Sequence, residues 1–195
     1  MKLFYIFLSL FLFSQYSLSS ETNLLVEISG GNFVQNRHLL LAGGLRYKFE
    51  YSQYNLRINN WFGEDYDQFS FPIEFTYSKV RQEYSGFVDG LFGNYMGGIN
   101  LISRWNPIDG YIFSPYIQCH IGILHNDIYE KEYQSYIGSP FEFSLSIAGG
   151  IRLHLPSNFS LMVEYKGEHI SNAGLSERNS GINASGFLFG CSKSF

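Results

Sequence analysis

The chain has 195 residues, 18% of them aromatic and only 15% charged, with a formal net charge of −4. That length admits one domain with its own core, or one closed barrel. The mildly acidic balance, with no basic run, excludes an electrostatic nucleic-acid binder, and a mean hydropathy near zero argues against a bundle of membrane helices.

Residues 1–19 read as a secretory leader. Lys2 supplies the positive start, Leu3 to Phe13 an apolar run, and Ser17-Leu18-Ser19 the small residues of a cleavage site. The apolar run is short for a transmembrane anchor, the other reading of this segment. No run of 18 apolar residues follows, so residues 20–195 are expected to form a single domain that enters a membrane, if at all, by strands.

Phe and Tyr number 19 and 15 against two Trp, and Gly reaches 20. This composition suits strands better than helices. Period-2 alternation predicts ten candidate strands: 22–30, 37–50, 53–62, 67–79, 83–92, 94–105, 115–125, 140–155, 158–171 and 183–195. The segment 83–92 is weakly patterned, and 53–62 could belong to a bent hairpin, so eight strands is also open. In 37–50, Leu39, Leu41, Leu45, Tyr47 and Phe49 share an apolar face opposite His38, Arg46 and Lys48. In 140–155, Phe141, Phe143, Leu145, Ile147, Ile151 and Leu153 oppose Glu142, Ser144, Ser146, Arg152 and His154.

Such strands could build a soluble sandwich or a transmembrane barrel, apolar outside and polar inside. The barrel is favoured on three counts. The strands exceed the usual length of about five or six residues. The polar faces hold Arg, Lys and Glu that can pair in a lumen, Glu142, Arg152, Glu164, Lys166 and Glu168 among them. The last strand alternates and ends on Phe195, which resembles the outer-membrane assembly signal. The fold class is therefore an all-β, antiparallel outer-membrane β-barrel of 8 to 10 strands. With ten, the connections near 51, 81, 109 and 156 fall at the periplasmic end, and those near 34, 64, 132 and 177 outside.

Cys119 and Cys191 lie at apolar-face positions of separate strands and read as small hydrophobes, with a disulfide the alternative. No metal-ligand spacing surrounds either. His38, His120, His125 and His154 are scattered and receive no role.

The segment Glu164-Tyr165-Lys166-Gly167-Glu168-His169-Ile170-Ser171-Asn172 carries the chemistry. As a strand it sends Glu164, Lys166 and Glu168 to one face. Tyr165, Gly167, His169 and Ser171 share the other, apolar face. Ser and His at i and i+2 are near neighbours, within reach of a shared proton. A nucleophile pair on the lipid side of a barrel suits attack on a lipid ester.

His169-Ile170-Ser171-Asn172-Ala173-Gly174-Leu175, followed by Asn179-Ser180-Gly181-Ile182-Asn183, resembles the PagL-type lipid A 3-O-deacylases, outer-membrane barrel esterases. The resemblance is specific over about the last 80 residues. It implies Ser171 as nucleophile, His169 as its general base, and Asn172 as a donor to the oxyanion by side chain or backbone N–H. It implies no metal or cofactor. It further implies lipopolysaccharide as the partner, held through lipid A in the outer leaflet, and cleavage of the 3-position ester-linked acyl chain. A homodimer is among the assemblies left open.

This chain departs from the family at one position. The third catalytic residue is a Glu in the pattern and Asn183 here, which can orient the imidazole but carries no charge. Glu177 could substitute if its loop folds back. Glu168 is a poor substitute because it faces the lumen. Two other readings stay open: a non-catalytic barrel of the same fold, structural or lipid-binding, and an adhesin-like or porin-like barrel in which the motif is coincidental.

Overall fold

The computed structural model describes residues 24–35, 47–59, 68–84, 87–89, 94–108, 112–130 and 136–195. The leader expected over 1–19 lies outside the described residues. So do His38, Arg46 and the 37–46 part of the second expected strand.

Alternating Phe, Tyr, Ile, Ser and Gly with almost no Pro makes long pleated strands. They are β1 (Leu25–Gln35), β2 (Tyr47–Asn59), β3 (Phe69–Ser70), β4 (Ile73–Tyr84), β5 (Phe87–Asp89), β6 (Tyr95–Trp105), β7 (Phe113–Asn126), β8 (Phe141–Leu155), β9 (Phe159–Ser171) and β10 (Ile182–Ser194). Eight of them close a ring in the order β1-β2-β4-β6-β7-β8-β9-β10, every neighbour antiparallel. The β1–β10 seam runs from Leu25↔Ser194 to Gln35↔Ala184. The short β3 and β5 pair at the margins of β6 and β4. Closure leaves the main strands without an open edge, as a lipid environment demands.

The barrel has eight strands, so the ten-strand topology is corrected. Residues 47–59 form one strand, with Tyr51 in its middle where a connection was expected. Residues 73–84 likewise run through 81. Neither position holds a turn-forming residue, and both continue the β1–β2–β4 ladder through Phe33↔Tyr51 and Glu50↔Arg81. Asn59, the last residue of β2, pairs with Leu25, so β2 ends on the side of the barrel that holds Leu25 and Ser194, and not on the opposite side as the ten-strand topology required.

Outside, the strands present an apolar band that includes Phe75, Ile99, Leu101, Ile121, Leu145, Ile147, Ile151, Val163, Tyr165, Phe187 and Phe189, all exposed. Inside, the half nearer the termini is filled by ion pairs. Arg57 grips Glu164 with both terminal nitrogens at 2.9 Å and donates from Nε to Glu74 at 2.6 Å. Arg104 grips Glu27 in the same bidentate fashion at 2.7 Å, and Arg152 pairs with Glu27 as well. Lys166 lies 3.3 Å from Glu168 and 3.6 Å from Glu74. Arg57, Arg104, Arg152 and Lys166 are thereby balanced by Glu27, Glu74, Glu164 and Glu168, which is how buried charge is tolerated.

Glu142 stands apart from the lumen pairs expected for it. Its carboxylate accepts the Ser139 N–H at 3.3 Å, at the loop end.

The other half of the interior is apolar. Phe33, Phe49, Met96, Ile128, Tyr136, Ile137, Ile170 and Leu188 form one buried cluster at the loop end. Phe33 stacks on Tyr51 at 5.1 Å, and Phe49 meets Tyr136 edge-on at 5.1 Å. Phe49 therefore faces inward, not outward as its alternation suggested. Near the loops the lining changes from polar to apolar, so parity read from hydrophobicity inverts there. Tyr51 marks the border, donating its hydroxyl to Glu168 at 2.8 Å.

Both cysteines are free.

Candidate active site

β9 and β10 are consecutive antiparallel strands whose register sets His169 opposite Asn183. His169 and Ser171, two residues apart, both point out of the barrel at its loop end. The inward residues beside them hold the strand. Glu164 is clamped by Arg57, and it also accepts from the Tyr116 hydroxyl at 2.9 Å and Gln118 Nε2 at 2.8 Å. Glu168 accepts from Tyr51 and from the Ser144 hydroxyl at 3.2 Å. Ile170 is fully buried in the apolar cluster. The side chains that fix β9 are thus on one face, and the pair able to react is on the other.

Asn183 Oδ1 lies 2.9 Å from His169 Nδ1, and His169 Nε2 lies 3.0 Å from Ser171 Oγ. A carbonyl oxygen only accepts, so Nδ1 carries the proton. Nε2 is then the free base that faces the serine hydroxyl. This chain of two hydrogen bonds can carry a proton off Ser171 as its oxygen attacks a carbonyl carbon. It supplies no negative charge to the imidazolium so formed. Glu168 is turned inward, and Glu177 is exposed on the loop. Both ring nitrogens of His169 are already occupied, so neither carboxylate takes the third position.

The 172–181 loop closes tightly between β9 and β10. Ala173, Gly174 and Gly181 adopt positive φ of 54°, 84° and 69°, a region open to glycine and strained for most other residues. Asn172 organises the turn from a fully buried position. Its N–H donates to Asn179 Oδ1 at 2.9 Å, its Nδ2 to the Arg178 carbonyl at 3.1 Å, and its Oδ1 accepts the Gly174 N–H at 3.1 Å. The Asn172 N–H and one of its Nδ2 hydrogens are engaged inside the loop. Asn172 is the one member of the expected set that the fold does not bring to the outward Ser171–His169–Asn183 row.

Two further residues support the loop. Gly181 donates its N–H to the Tyr136 carbonyl at 3.0 Å. A β-carbon there would stand 3.1 Å from His169 Cε1, so glycine lets the loop cross close to the ring. Arg178 donates from Nη2 to the Tyr129 carbonyl at 2.8 Å, tying this loop to the one before β8. The sequence marks Gly181 only within the Asn179-Ser180-Gly181-Ile182-Asn183 motif. Its role against His169 and the Tyr129 and Tyr136 contacts depend on tertiary placement that no local pattern encodes.

Ser171, His169 and Asn183 all come from one chain. The family model described as "Lipid A 3-O-deacylase (PagL)" matches residues 41–192. No curated protein sequence matches the chain. Among solved structures, the outer membrane enzyme PagL is similar at 17% identity and a TM-score of 0.57, covering 85% of this chain and 97% of that one. Neisserial surface protein A is similar at 11% identity and a TM-score of 0.61, covering 88% and 97%. OprG from Pseudomonas aeruginosa is similar at 13% identity and a TM-score of 0.50, covering 89% and 96%. Those three likenesses establish the barrel as an outer-membrane fold, while the family match spans most of the sequence and includes β9, the loop after it and β10 as far as Ser192: the chain belongs to the lipid A 3-O-deacylase (PagL) family.

Proposed function

We propose that this chain is a serine esterase of the outer membrane that removes the 3-position ester-linked acyl chain of lipid A. The observation that carries this reading is the hydrogen-bond series Asn183–His169–Ser171 on the lipid-facing side of β9 and β10. Family membership supplies the substrate class.

In the proposed reaction His169 Nε2 takes the Ser171 proton while Oγ attacks the ester carbonyl. The tetrahedral intermediate collapses by breaking the C–O bond to the sugar, and His169 returns the proton to the leaving sugar oxygen. Water, activated by the same Nε2, then attacks the acyl-Ser171 ester. Its proton passes through His169 to the serine oxygen, releasing a fatty acid and restoring the hydroxyl. The outward, apolar setting lets the acyl chain stay in its lipid environment while the ester reaches Ser171. Asn172 shapes the 172–174 turn beside Ser171, and the family resemblance assigns it the donor to the oxyanion.

Asn183 fixes the ring and its tautomer but leaves the imidazolium without a neutralising carboxylate, which lowers the expected rate. The same feature favours the second reading, a lipid-binding barrel with no turnover. Expression in a Gram-negative outer membrane, followed by mass spectrometry of extracted lipid A, separates the two. Loss of one hydroxyacyl chain that disappears in Ser171→Ala and His169→Ala supports the esterase. Unchanged lipid A mass with folded barrel present refutes it.

A further inference from the structure

Among the described residues, the buried carboxylates are Glu27, Glu74, Glu142, Glu164 and Glu168. All but Glu142 face an arginine or a lysine. Glu142 is 1% exposed and has no cation beside it among the described residues. The groups that meet its carboxylate are the N–H groups of Gly138 and Ser139 and the side-chain amide of Asn172. A buried carboxylate held by neutral donors alone is costly to keep. This one joins the segment before β8 to the residue that follows Ser171.

The register explains the meeting. Phe143 pairs with Ser171 across the β8–β9 ladder. One position nearer the loops, Glu142 and Asn172 turn inward side by side, and both are buried. The same two segments touch again close by. Gly181 donates its N–H to the Tyr136 carbonyl at 3.0 Å. A β-carbon at Gly138 would run into Ser176 Oγ and stand 2.6 Å from the Arg178 carbonyl oxygen, so glycine is what lets the segment before β8 lie against the 172–181 loop.

The Asn172 amide has two unlike ends. Its Oδ1 accepts the Gly174 N–H at 3.1 Å, and one Nδ2 hydrogen goes to the Arg178 carbonyl at 3.1 Å. The other Nδ2 hydrogen is the one available to Glu142. A carboxylate only accepts, so it admits the NH2 end of the amide and rejects the oxygen. Glu142 thus fixes which way the amide points, and keeps Oδ1 turned toward the Gly174 N–H. The turn closed by that bond starts at the peptide bond after Ser171.

We propose that Glu142 is a positioning residue for the reaction: from inside the barrel it orients the Asn172 amide, and through it the 172–174 turn that sets Ser171 against His169. The inference rests on the esterase reading for what the turn serves. Glu142 touches neither the substrate nor the reacting atoms. It acts through the wall, from the inward face of β8 to the outward face of β9.

The test uses the full-length barrel in detergent–lipid micelles, with lipid A deacylation followed by released fatty acid. Glu142→Leu removes the acceptor and should lower kcat by about tenfold or more with KM little changed, the signature of a misplaced reacting group. Glu142→Gln keeps an acceptor oxygen and should retain most of the rate. Glu142→Leu combined with Asn172→Ala should be no slower than Asn172→Ala alone, because both changes act through one amide. Gly138→Ala pushes the two segments apart without touching the carboxylate. It should also lower kcat, and serves if the leucine variant does not fold. In 1H–15N NMR spectra the Asn172 side-chain amide protons should exchange slowly in the wild type and quickly in Glu142→Leu. Wild-type kcat in a folded Glu142→Leu barrel, or losses that simply add in the double variant, overturn the proposal and leave the esterase standing. Slow amide exchange with no cleavage by the wild type sinks the esterase reading and leaves the hold of Glu142 on Asn172 intact.

Discussion

Asn183 presents its carbonyl oxygen to His169 Nδ1 at 2.9 Å, directly across the β9–β10 ladder. That contact does half of what a carboxylate does. It holds the ring and places the proton on Nδ1, so Nε2 faces Ser171 as a base. It offers no charge when the ring becomes imidazolium.

Replacing Asn183 by Glu should therefore raise kcat for lipid A deacylation. The gain is bounded by the ~10²- to 10⁴-fold range set by triad acid substitutions. Asn183→Leu should lower kcat below wild type, because the ring loses its anchor and its preferred tautomer. Initial rates on purified lipid A, followed by released fatty acid, read both. A glutamate variant no faster than wild type would show that charge at this position is not what limits the reaction.

Gly181→Ala tests the loop. The new methyl group meets a backbone at φ +69° and stands 3.1 Å from His169 Cε1. Left-handed backbone costs an alanine about 1–2 kcal/mol, which a closed barrel absorbs. The displaced ring should cost more than tenfold in rate, roughly the scale of a small misplacement at a reacting pair. Heat-modifiable migration on gels reports the folded barrel, and the deacylation assay reports the ring.

The interior ion pairs predict a pattern of stabilities. Arg57→Met leaves Glu164 and Glu74 short of their shared cation, and should cost about 3–5 kcal/mol. The double change Arg57→Met with Glu164→Leu should cost less than the single change, since fewer charges are stranded. Denaturant unfolding in lipid vesicles gives the comparison. Equal losses for single and double variants would mean that the strands, and not the pair, set stability.

The apolar cluster at the loop end predicts that the barrel is closed to ions. Phe33, Phe49, Met96, Ile128, Ile137 and Leu188 pack as one buried apolar cluster inside that end. Purified protein in planar bilayers should give no steady conductance. Discrete open channels at neutral pH would revive a porin-like role.

Much of the fold is legible in the alternation. β8 and β9 are read almost to the residue, because apolar lipid-facing positions and charged lumen positions differ sharply in the middle of the barrel. The reading slips where that contrast fades. Residues 47–59 pass from an apolar interior at Phe49 and Tyr51 to a polar one at Asn55 and Arg57, so one strand looks like two. Of the site, the His169–Ser171 spacing and the opposing Asn183 follow from strand geometry and hairpin length. The engagement of Asn172 is invisible to both, because it depends on how Asn179 and Arg178 fold back over a turn built on three positive-φ residues.

The ion pairs also bear on how the barrel is made. Glu27 comes from β1, yet its cations come from β6 and β8; Arg57 comes from β2, and its main carboxylate from β9. These partners meet only when the first and last strands join. A half-rolled β1–β2–β4 sheet in the bilayer would set one cation, Arg57, against two carboxylates, Glu27 and Glu74. Insertion must thus delay burial of the early strands until the final hairpin arrives, and that hairpin is the one carrying His169, Ser171 and Asn183. The reactive residues are consequently assembled in the same event that seals the wall.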